Sequence, residues 1–295
     1  MFKTTYCPRH SENRMRHEGD TFRARQFFFD GAPQNLKLLL RRRYQWMNRF
    51  IGSDDVGMEV GCGTGISREY IRAKKFYLTD VADYDWLDHK YVDALATPFD
   101  DASFDFVVSS NMIHHVSRPT VFFREMERIL KPGGRLIIQE VNASLTMRIV
   151  LRLMRHEGYS YEPDVFDPDA ICNMPGDPWS ANCAIPNLLF DDRKNFEKQL
   201  PSWRMIHSSF REFFGMLNSG GVIAKTFCIP LPAWLLHVIH GVDTTLATLF
   251  PKLFAMQRQI VLEKRRIGIL PAAATSEPKA DKLAADRSQS WRRAA

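Results

Sequence analysis

The sequence predicts an α/β protein with a doubly wound, largely parallel sheet of seven strands, the last of them antiparallel. Between residues 56 and 141, short β-branched and aromatic runs alternate with helical patterns, as in parallel strands joined by crossover helices. A glycine-rich stretch follows the first strand, and such turns bind ligands in these sheets. The chain has 295 residues, 45% of them hydrophobic, which is enough to bury a large core.

Before the first strand, residues 35–51 (NLKLLLRRRYQWMNRFI) predict an amphipathic helix. Its apolar residues recur at steps of three and four. We interpret this helix as packed on the sheet, with contact to a membrane surface as the less favoured alternative. Residues 1–52 therefore form a basic, helical N-terminal segment that carries part of the net charge of +6.

Residues 53–143 make the predicted core. Its elements are strands at 56–60, 75–79, 91–93, 104–109 and 135–141, with helices at 67–73 and 120–130. The longer helix ends before the proline and two glycines at 132–134, because these residues stop helices.

After residue 143 the regular pattern changes. Residues 144–202 predict a cap or insertion, which begins with a basic helix at 144–155 and continues through irregular, aromatic and proline-rich sequence. Residues 203–267 hold the last two strands, at 203–213 and 259–263, on either side of an amphipathic insertion. Residues 268–295 have the composition of a disordered tail.

Composition narrows the function classes. The five cysteines form no C-x-x-C pair and fit no zinc-ligand spacing, so we expect no metal site and a reducing, cytoplasmic environment. The first twenty residues lack the apolar run of a secretory signal. The pI is about 9.1, but no aromatic-basic motif accompanies the charge, so we expect no nucleic acid partner.

The glycine-rich stretch, residues 58–67, reads MEVGCGTGIS. A P-loop would need a second glycine five residues after Gly61 or Gly63, where Ile66 and Arg68 stand. A dinucleotide fingerprint would also need glycine at the position of Ile66. The remaining pattern is G-x-G-x-G with Glu59 two residues upstream. A carboxylate about 4 Å from a pyrophosphate costs about 4 kcal/mol at an effective dielectric near 20. The same carboxylate suits a cation, such as the sulfonium and ammonium groups of S-adenosylmethionine (SAM).

Several blocks stand in order along residues 56–141. EVGCGTG, Asp80 at the end of the second strand, VDALATPFDDASFDFVVSSNMIHHV and ILKPGGRLIIQE together resemble the class I SAM-dependent methyltransferases, in particular their ubiquinone/menaquinone-methylase branch. The first helix and the later segments LNSGG, FCIPLP and RQIVLEKR are also similar to uncharacterised bacterial members of polysaccharide or glycolipid pathways. The resemblance implies a Rossmann-like core and SAM as the cofactor.

The resemblance also implies roles by position, from the methionine part of the cofactor through its ribose to its adenine. Glycines allow close backbone approach to a ligand, and a carboxylate accepts from two neighbouring ribose hydroxyls at once. The cofactor-binding residues so implied are Glu59, Gly61, Cys62, Gly63, Gly65, Asp80, Asp93, Ala94, Asn111 and Met112.

Methyl transfer is an in-line displacement, for which the protein aligns the acceptor and excludes water. A hydroxyl acceptor also needs a base. The candidates stand at the carboxyl ends of the fourth and fifth strands: His115 first, His114 second, and Glu140, which could instead orient a histidine. Four residues of the predicted cap are candidates for lining the acceptor pocket: His156, Tyr159, Tyr161 and Trp179.

The sequence thus predicts methyl transfer from SAM to a small-molecule, glycan or lipid-linked acceptor, on oxygen. Two alternatives stay open: carbon methylation of a quinone or polyketide, and a non-catalytic SAM-binding subunit. The basic first helix and the apolar stretch at 232–256 also predict peripheral association with the inner face of a membrane. That stretch is too interrupted by prolines and charges to span a bilayer.

Overall fold

The computed structural model describes residues 4–7, 21–155, 157–177, 180–222 and 226–266. A six-stranded sheet lies at its centre. The strands are β1 (Val56–Val60), β2 (Lys75–Thr79), β3 (Phe104–Ser110), β4 (Leu130–Val141), β5 (Trp203–Arg211) and β6 (Gln257–Lys264).

The strand order is β2-β1-β3-β4-β6-β5. Strands β2, β1, β3 and β4 are parallel, and β6 runs antiparallel to both of its neighbours. The predicted fold class, including an antiparallel last strand, is confirmed.

The predicted number of strands differs from the observed one, because residues 91–93 form no strand in the structure. Tyr91 has a φ of 57°, a left-handed conformation that breaks an extended run. Val92 makes a single backbone hydrogen bond, from its N–H to the carbonyl of Asp80 at 2.9 Å, rather than a ladder of bonds with a neighbouring strand. Asp93 therefore begins a turn, and the sheet of the described residues has six strands rather than seven.

Eight α-helices surround the sheet in the described residues. They are α1 (Thr21–Gly31), α2 (Gln34–Gln45), α3 (Pro119–Ile129), α4 (Leu145–Met154), α5 (Ile185–Phe190), α6 (Arg193–Gln199), α7 (Phe214–Leu217) and α8 (Ala233–Leu249). Three short 3₁₀ helices lie at Trp46–Phe50, Ile66–Glu69 and Ile113–His115. The first of these ends the predicted first helix, and the second replaces the predicted helix at 67–73. No helix in the described part of the chain has both the length and the apolarity to cross a membrane.

Alternate residues of the central strands point into two different cores, as the pleat of a sheet requires. Val107 and Ile138 lie in the larger apolar cluster, with residues of α3, α5 and α6. Phe106, Val108 and Ile137 lie in a cluster on the other face, which the 3₁₀ helix at Trp46–Phe50 helps to cover. Both faces of the sheet are therefore buried, which is the doubly wound arrangement.

Within the insertion between β5 and β6, Asp243 joins α8 to the start of α7. This carboxylate is buried and accepts from the backbone N–H groups of Phe213, Phe214 and Gly215, at 3.4, 3.1 and 2.7 Å. In the sequence Asp243 interrupts an apolar stretch. In the structure its carboxylate accepts hydrogen bonds from the backbone at the start of α7.

Gly57 offers a test of how closely side chains of adjacent strands pack, because its partner on β3 is Phe106. A Cβ at this position would lie 2.5 Å from the ring of Phe106, whereas a Cβ at Gly31 would meet no atom within 4 Å. We expect Gly57→Ala to lower the free energy of unfolding by about 1–3 kcal/mol through overpacking. Gly31→Ala, the matched control, is expected to leave stability unchanged or slightly higher. Urea denaturation followed by circular dichroism measures both, and equal stability of the two variants would contradict the packing described.

Candidate functional site

The glycine turn after β1 has alternating left-handed residues. Gly61, Gly63 and Gly65 have φ values of 63°, 48° and 63°, which explains why glycine recurs at every second position. A Cβ on Gly61 would lie 2.5 Å from the side chain of Met112, and one on Gly65 would lie 2.8 Å from Leu78. A Cβ on Gly63 would meet nothing within 4 Å, so the turn is packed at its two ends and open at its middle.

This opening faces a cavity of about 260 Å³ at the carboxyl ends of β1 and β3. The glycine turn, Asn111 and the two histidines 114 and 115 line one part of it. Apolar side chains of α4 and α7 line the other: Met147, Val150, Leu151, Met154, Met216 and Leu217. Two larger cavities in the described residues, of about 700 and 400 Å³, have no residue of the glycine turn in their walls. We therefore take the smaller cavity as the candidate site, since position and chemistry agree there.

Asp80 lies against the middle of the glycine turn. It follows β2, which is paired with β1 in parallel register, so the two strand ends lie side by side. One carboxylate oxygen accepts from the N–H of Gly63 at 2.8 Å, and the other accepts from the N–H of Ala82 at 3.0 Å. Each oxygen has a further lone pair, so Asp80 can hold the turn and still accept from a ligand.

Glu59 lies beneath the turn, with 1% of its surface exposed. The Ser67 hydroxyl donates to its carboxylate. Burial raises the pKa of Glu59 to about 8, with the Ser67 hydrogen bond lowering it and the charge of Asp80 adding to the rise. Glu59 does not itself line the cavity, but its charge helps to raise the pKa values of Tyr44 and Cys62, which do. Because its pKa is near 8, Glu59 is mostly protonated at neutral pH, and a cation bound beside the turn would lower that pKa and favour the carboxylate form.

The other residues implied for the cofactor divide into two groups. Asn111 lines the cavity in a left-handed conformation, with φ of 51° and its N–H donating to the carbonyl of Gln139 at 2.7 Å. Met112 packs behind Gly61. Asp93 is exposed and accepts from the N–H of Leu95 at 2.8 Å, and Ala94 packs on the main core. The structure thus brings Asn111 and Met112 to the glycine turn, and leaves Asp93 and Ala94 outside the cavity wall.

Glu140, at the end of β4, is fully buried and uses both carboxylate oxygens. One accepts from the N–H of Ile113 at 2.9 Å. The other accepts from His114 Nδ1 at 2.7 Å and from the N–H of Val141 at 2.8 Å. Glu140 therefore joins the end of β4 to the turn after β3 and fixes the ring of His114.

The two histidines pack ring against ring, with centroids 4.2 Å apart, and both face Glu157. His114 Nε2 lies 3.5 Å from one oxygen of Glu157, and His115 Nε2 lies 3.7 Å from the other. His115 Nδ1 is 3.1 Å from the carbonyl of Ser180. Because a carbonyl only accepts, Nδ1 of His115 carries the proton in the neutral ring, and its Nε2 keeps a lone pair.

The pKa values of His114 and His115 are shifted in opposite directions. Burial by itself would lower the pKa of His114, but the charges of Glu140 and Glu157 and the hydrogen bonds to them raise it to about 10. Burial and the neighbouring charge of His114 lower the pKa of His115 to about 4. At neutral pH the site therefore contains a cation at His114 beside a neutral His115, which is a weak base with a free lone pair.

Two groups of this site lie outside the residues named from the sequence: Glu157, and Cys183, whose thiol donates to Glu157 at 3.1 Å. They belong to irregular segments in which no periodicity marks a buried side chain. Tyr159 is buried away from the cavity and accepts from Arg152 at 2.7 Å, and Tyr161 lines the cavity of about 700 Å³. His156 and Trp179 lie outside the described residues.

Comparison with known families agrees with this geometry. Residues 58–138 match the family model of a methyltransferase domain. The chain is 35% identical over 100 residues to the chloroplastic tocopherol O-methyltransferase of Arabidopsis thaliana, covering 28% of each chain. It is 46% identical over 54 residues to the ubiquinone/menaquinone biosynthesis C-methyltransferase UbiE of Ruegeria sp., covering 18% of this chain and 22% of that protein. The chain thus spans about a quarter of the length of either relative.

Among solved structures, the fold is similar to that of a SAM-dependent methyltransferase from Archaeoglobus fulgidus. The TM-score is 0.50 at 16% identity, over 83% of this chain and 100% of that one. At this identity the similarity concerns the fold alone.

The proton distribution between the histidines can be measured directly. His114 has a raised pKa in the folded chain, so its ion pair contributes fully to stability below its ordinary value of 6.5 and is lost as pH rises through about 10. We expect Glu140→Gln to move the pKa of His114 from about 10 toward its ordinary value, because one charge partner is removed. Glu162→Gln, at an exposed carboxylate, is the control and should change nothing.

Histidine ring chemical shifts, followed by NMR through a pH titration of chelator-treated protein, give these pKa values. A wild-type His114 that titrates near its ordinary value would contradict the ion pair.

Proposed function

We propose that this chain, which carries a class I SAM-dependent methyltransferase domain, transfers the methyl group of SAM to an acceptor with a large apolar part. One observation carries the proposal. The glycine turn, opened at Gly63 and backed by Asp80, lines part of a cavity that apolar side chains of α4 and α7 also line. Donor and acceptor of a methyl group need such adjacent sites in one water-excluding cavity.

The residues of the turn fit SAM in shape and in charge. The space over Gly63 admits a ligand to within backbone contact. The free lone pairs of Asp80 suit the two ribose hydroxyls. The charge of Asp80 suits the sulfonium and ammonium groups and disfavours a pyrophosphate, and a bound cation would also favour the ionised form of Glu59. Bound SAM supplies a methyl group on a positively charged sulfur.

The acceptor part of the cavity indicates the class of substrate. Apolar side chains of α4 and α7, among them Leu151 and Met216, line it, whereas His114, His115 and Glu157 form its polar end. This combination suits a molecule with a polar reacting head and an apolar body, as in a lipid-linked intermediate, rather than a bare sugar. The named functions of the two relatives, on tocopherol and in ubiquinone/menaquinone biosynthesis, are in keeping with such an acceptor.

For transfer to oxygen, His115 has the role of base. The acceptor hydroxyl oxygen attacks the methyl carbon while the bond from that carbon to sulfur breaks. The bonding pair stays on sulfur, which becomes a neutral thioether, and the hydroxyl proton passes to Nε2 of His115. The neutral state and free lone pair of His115 support this role.

Carbon methylation is the second candidate, and the fixed charge of His114 favours it. A carbon nucleophile on a quinol or polyketide forms through an oxyanion, and a buried cation beside the cavity would stabilise that oxyanion. The two candidates differ in what His115→Ala does. Removing the His115 side chain should strongly slow methylation of oxygen, which needs a base. It should slow methylation of carbon less, because there His114 stabilises the anion that attacks.

Peripheral membrane association is the third part of the proposal, and exposed apolar side chains support it. Leu145 and Ile149 of α4 are exposed on the same helical face. The backbone N–H of Leu145 donates to the carbonyl of Lys252 at 2.9 Å, next to the exposed Phe250 and Leu253. An apolar surface with a basic residue suits an anionic bilayer, from which an apolar acceptor would reach the cavity.

Transfer to an apolar acceptor is testable with SAM carrying a radiolabelled methyl group and a solvent extract of bacterial lipids. We expect label in the organic phase with the wild-type chain, and S-adenosylhomocysteine in the aqueous phase. Asp80→Asn should weaken SAM binding in calorimetry by about 10- to 100-fold, because the charged hydrogen bonds to the ribose are lost.

Asp85→Asn is the matched control, because Asp85 is an exposed carboxylate near Lys90, whereas Asp80 accepts from the N–H of Gly63 in the glycine turn. SAM binding without any turnover would favour a non-catalytic SAM-binding subunit. Equal SAM affinity of Asp80→Asn and the wild-type chain would overturn the cofactor site.

Membrane association is tested by sedimentation with vesicles of phosphatidylglycerol and phosphatidylcholine. Ile149→Glu combined with Leu253→Glu should lower binding by at least about tenfold, because two exposed apolar side chains no longer enter the bilayer. Ile171→Glu, at another exposed isoleucine, should not. A wild-type chain that stays in solution with anionic vesicles would contradict this part of the proposal.

A further inference from the structure

At the polar end of the cavity, three side chains of different chemistry converge. His114 Nε2, a carboxylate oxygen of Glu157 and Cys183 Sγ all lie within 4.8 Å of one another. They come from three separate parts of the chain: the 3₁₀ helix after β3, the segment after α4, and the segment before α5. Binding of the methyl donor at the glycine turn uses none of them.

The separations are close to those of metal ligands. Zinc binds imidazole nitrogen and carboxylate oxygen at about 2.0–2.2 Å and thiolate sulfur at about 2.3 Å, so two ligands of one tetrahedral ion are about 3.3–3.7 Å apart. His114 Nε2 and Glu157 are 3.5 Å apart, and Cys183 Sγ and Glu157 are 3.1 Å apart. His114 Nε2 and Cys183 Sγ are no more than 4.8 Å apart, so movements of about one ångström would bring the three atoms to one ion.

The surroundings of His114 also fit metal ligation. Its other ring nitrogen, Nδ1, donates to the buried carboxylate of Glu140 at 2.7 Å. A carboxylate behind a histidine in this way fixes the ring and makes the ligating nitrogen more basic. Glu140 is itself held by the N–H groups of Ile113 and Val141, so Nε2 of His114 has a fixed direction toward Glu157.

Charge balance points the same way. Two carboxylates, Glu140 and Glu157, flank the ring of His114, and the fully buried Cys183 directs its thiol at one of them. A divalent cation would bind Nε2 of His114 in place of a proton and convert the thiol to a thiolate. The ion would then be neutralised by Cys183 and Glu157, and Glu140 would remain paired with the Nδ1 proton of His114.

We propose that His114, Glu157 and Cys183 bind a zinc ion, with a fourth position that opens to the cavity beside His115. Thiolate, imidazole and carboxylate together favour zinc among the abundant divalent ions, and three protein ligands with one open position are the pattern of a working rather than a structural site. The sequence indicates no such site, because the three ligands are far apart along the chain. That the open position receives the acceptor's oxygen rests on the proposed function; the binding of zinc does not.

The test uses the full chain freed of metal with a chelator. We expect equimolar zinc binding in competition with a chromophoric chelator, and Co²⁺ binding with the near-ultraviolet absorption of a cobalt–thiolate bond. Cys183→Ser should abolish that absorption and lower zinc affinity at least tenfold. Cys172→Ser is the matched control, because Cys172 is a half-buried cysteine outside the cluster.

A second variant keeps the test decisive, since Cys183 is fully buried and its replacement could disturb folding. Glu157→Gln, at a partly exposed position, should also lower zinc affinity at least tenfold. Absence of zinc binding by the wild-type chain would overturn the site. Zinc affinity unchanged in both variants would do the same, because the ion would then lie elsewhere. SAM affinity of the metal-free chain, measured in parallel, reports on the proposed methyl transfer separately.

Discussion

The arrangement of the candidate site depends on one buried carboxylate, that of Glu140. A charged group taken out of water is costly unless its hydrogen bonds are replaced, and Glu140 has three replacements in the N–H groups of Ile113 and Val141 and in the ring of His114. These bonds join two neighbouring strands at their carboxyl ends. They also decide which nitrogen of His114 is turned toward Glu157, so both the cation at His114 and the proposed zinc ligand follow from them.

Carboxylates lie at two places around one cavity. Asp80 backs the glycine turn, with Glu59 buried beneath it, whereas Glu140 and Glu157 flank the ring of His114. In the proposed function, the charge of Asp80 suits the positively charged methyl donor. The imidazolium of His114 offsets one of the two carboxylates beside it and would lie next to an oxyanion on the acceptor.

The sequence predicted those parts of the site that depend on residue type and on position along a strand. Alternating glycines predicted a turn that a ligand can approach closely, and strand ends predicted that Asp80 and the two histidines share one edge of the sheet. The sequence could not reveal Glu157 and Cys183, because irregular segments bring them to His114 and no periodicity marks such contacts. The predicted strand at residues 91–93 was wrong for a related reason. The residue types favour an extended backbone, but Tyr91 has a left-handed conformation and these residues form no ladder of hydrogen bonds with β2.

The central claim is that the cavity between the glycine turn and α4 holds the methyl donor beside the histidine pair. A crystal structure of the chain with S-adenosylhomocysteine tests it most directly. We expect the ribose hydroxyls to bind Asp80, the homocysteine part to lie over Gly63, and the sulfur to point toward the end of the cavity that His114 and His115 line. A ligand bound in one of the two larger cavities, away from the glycine turn, would contradict it.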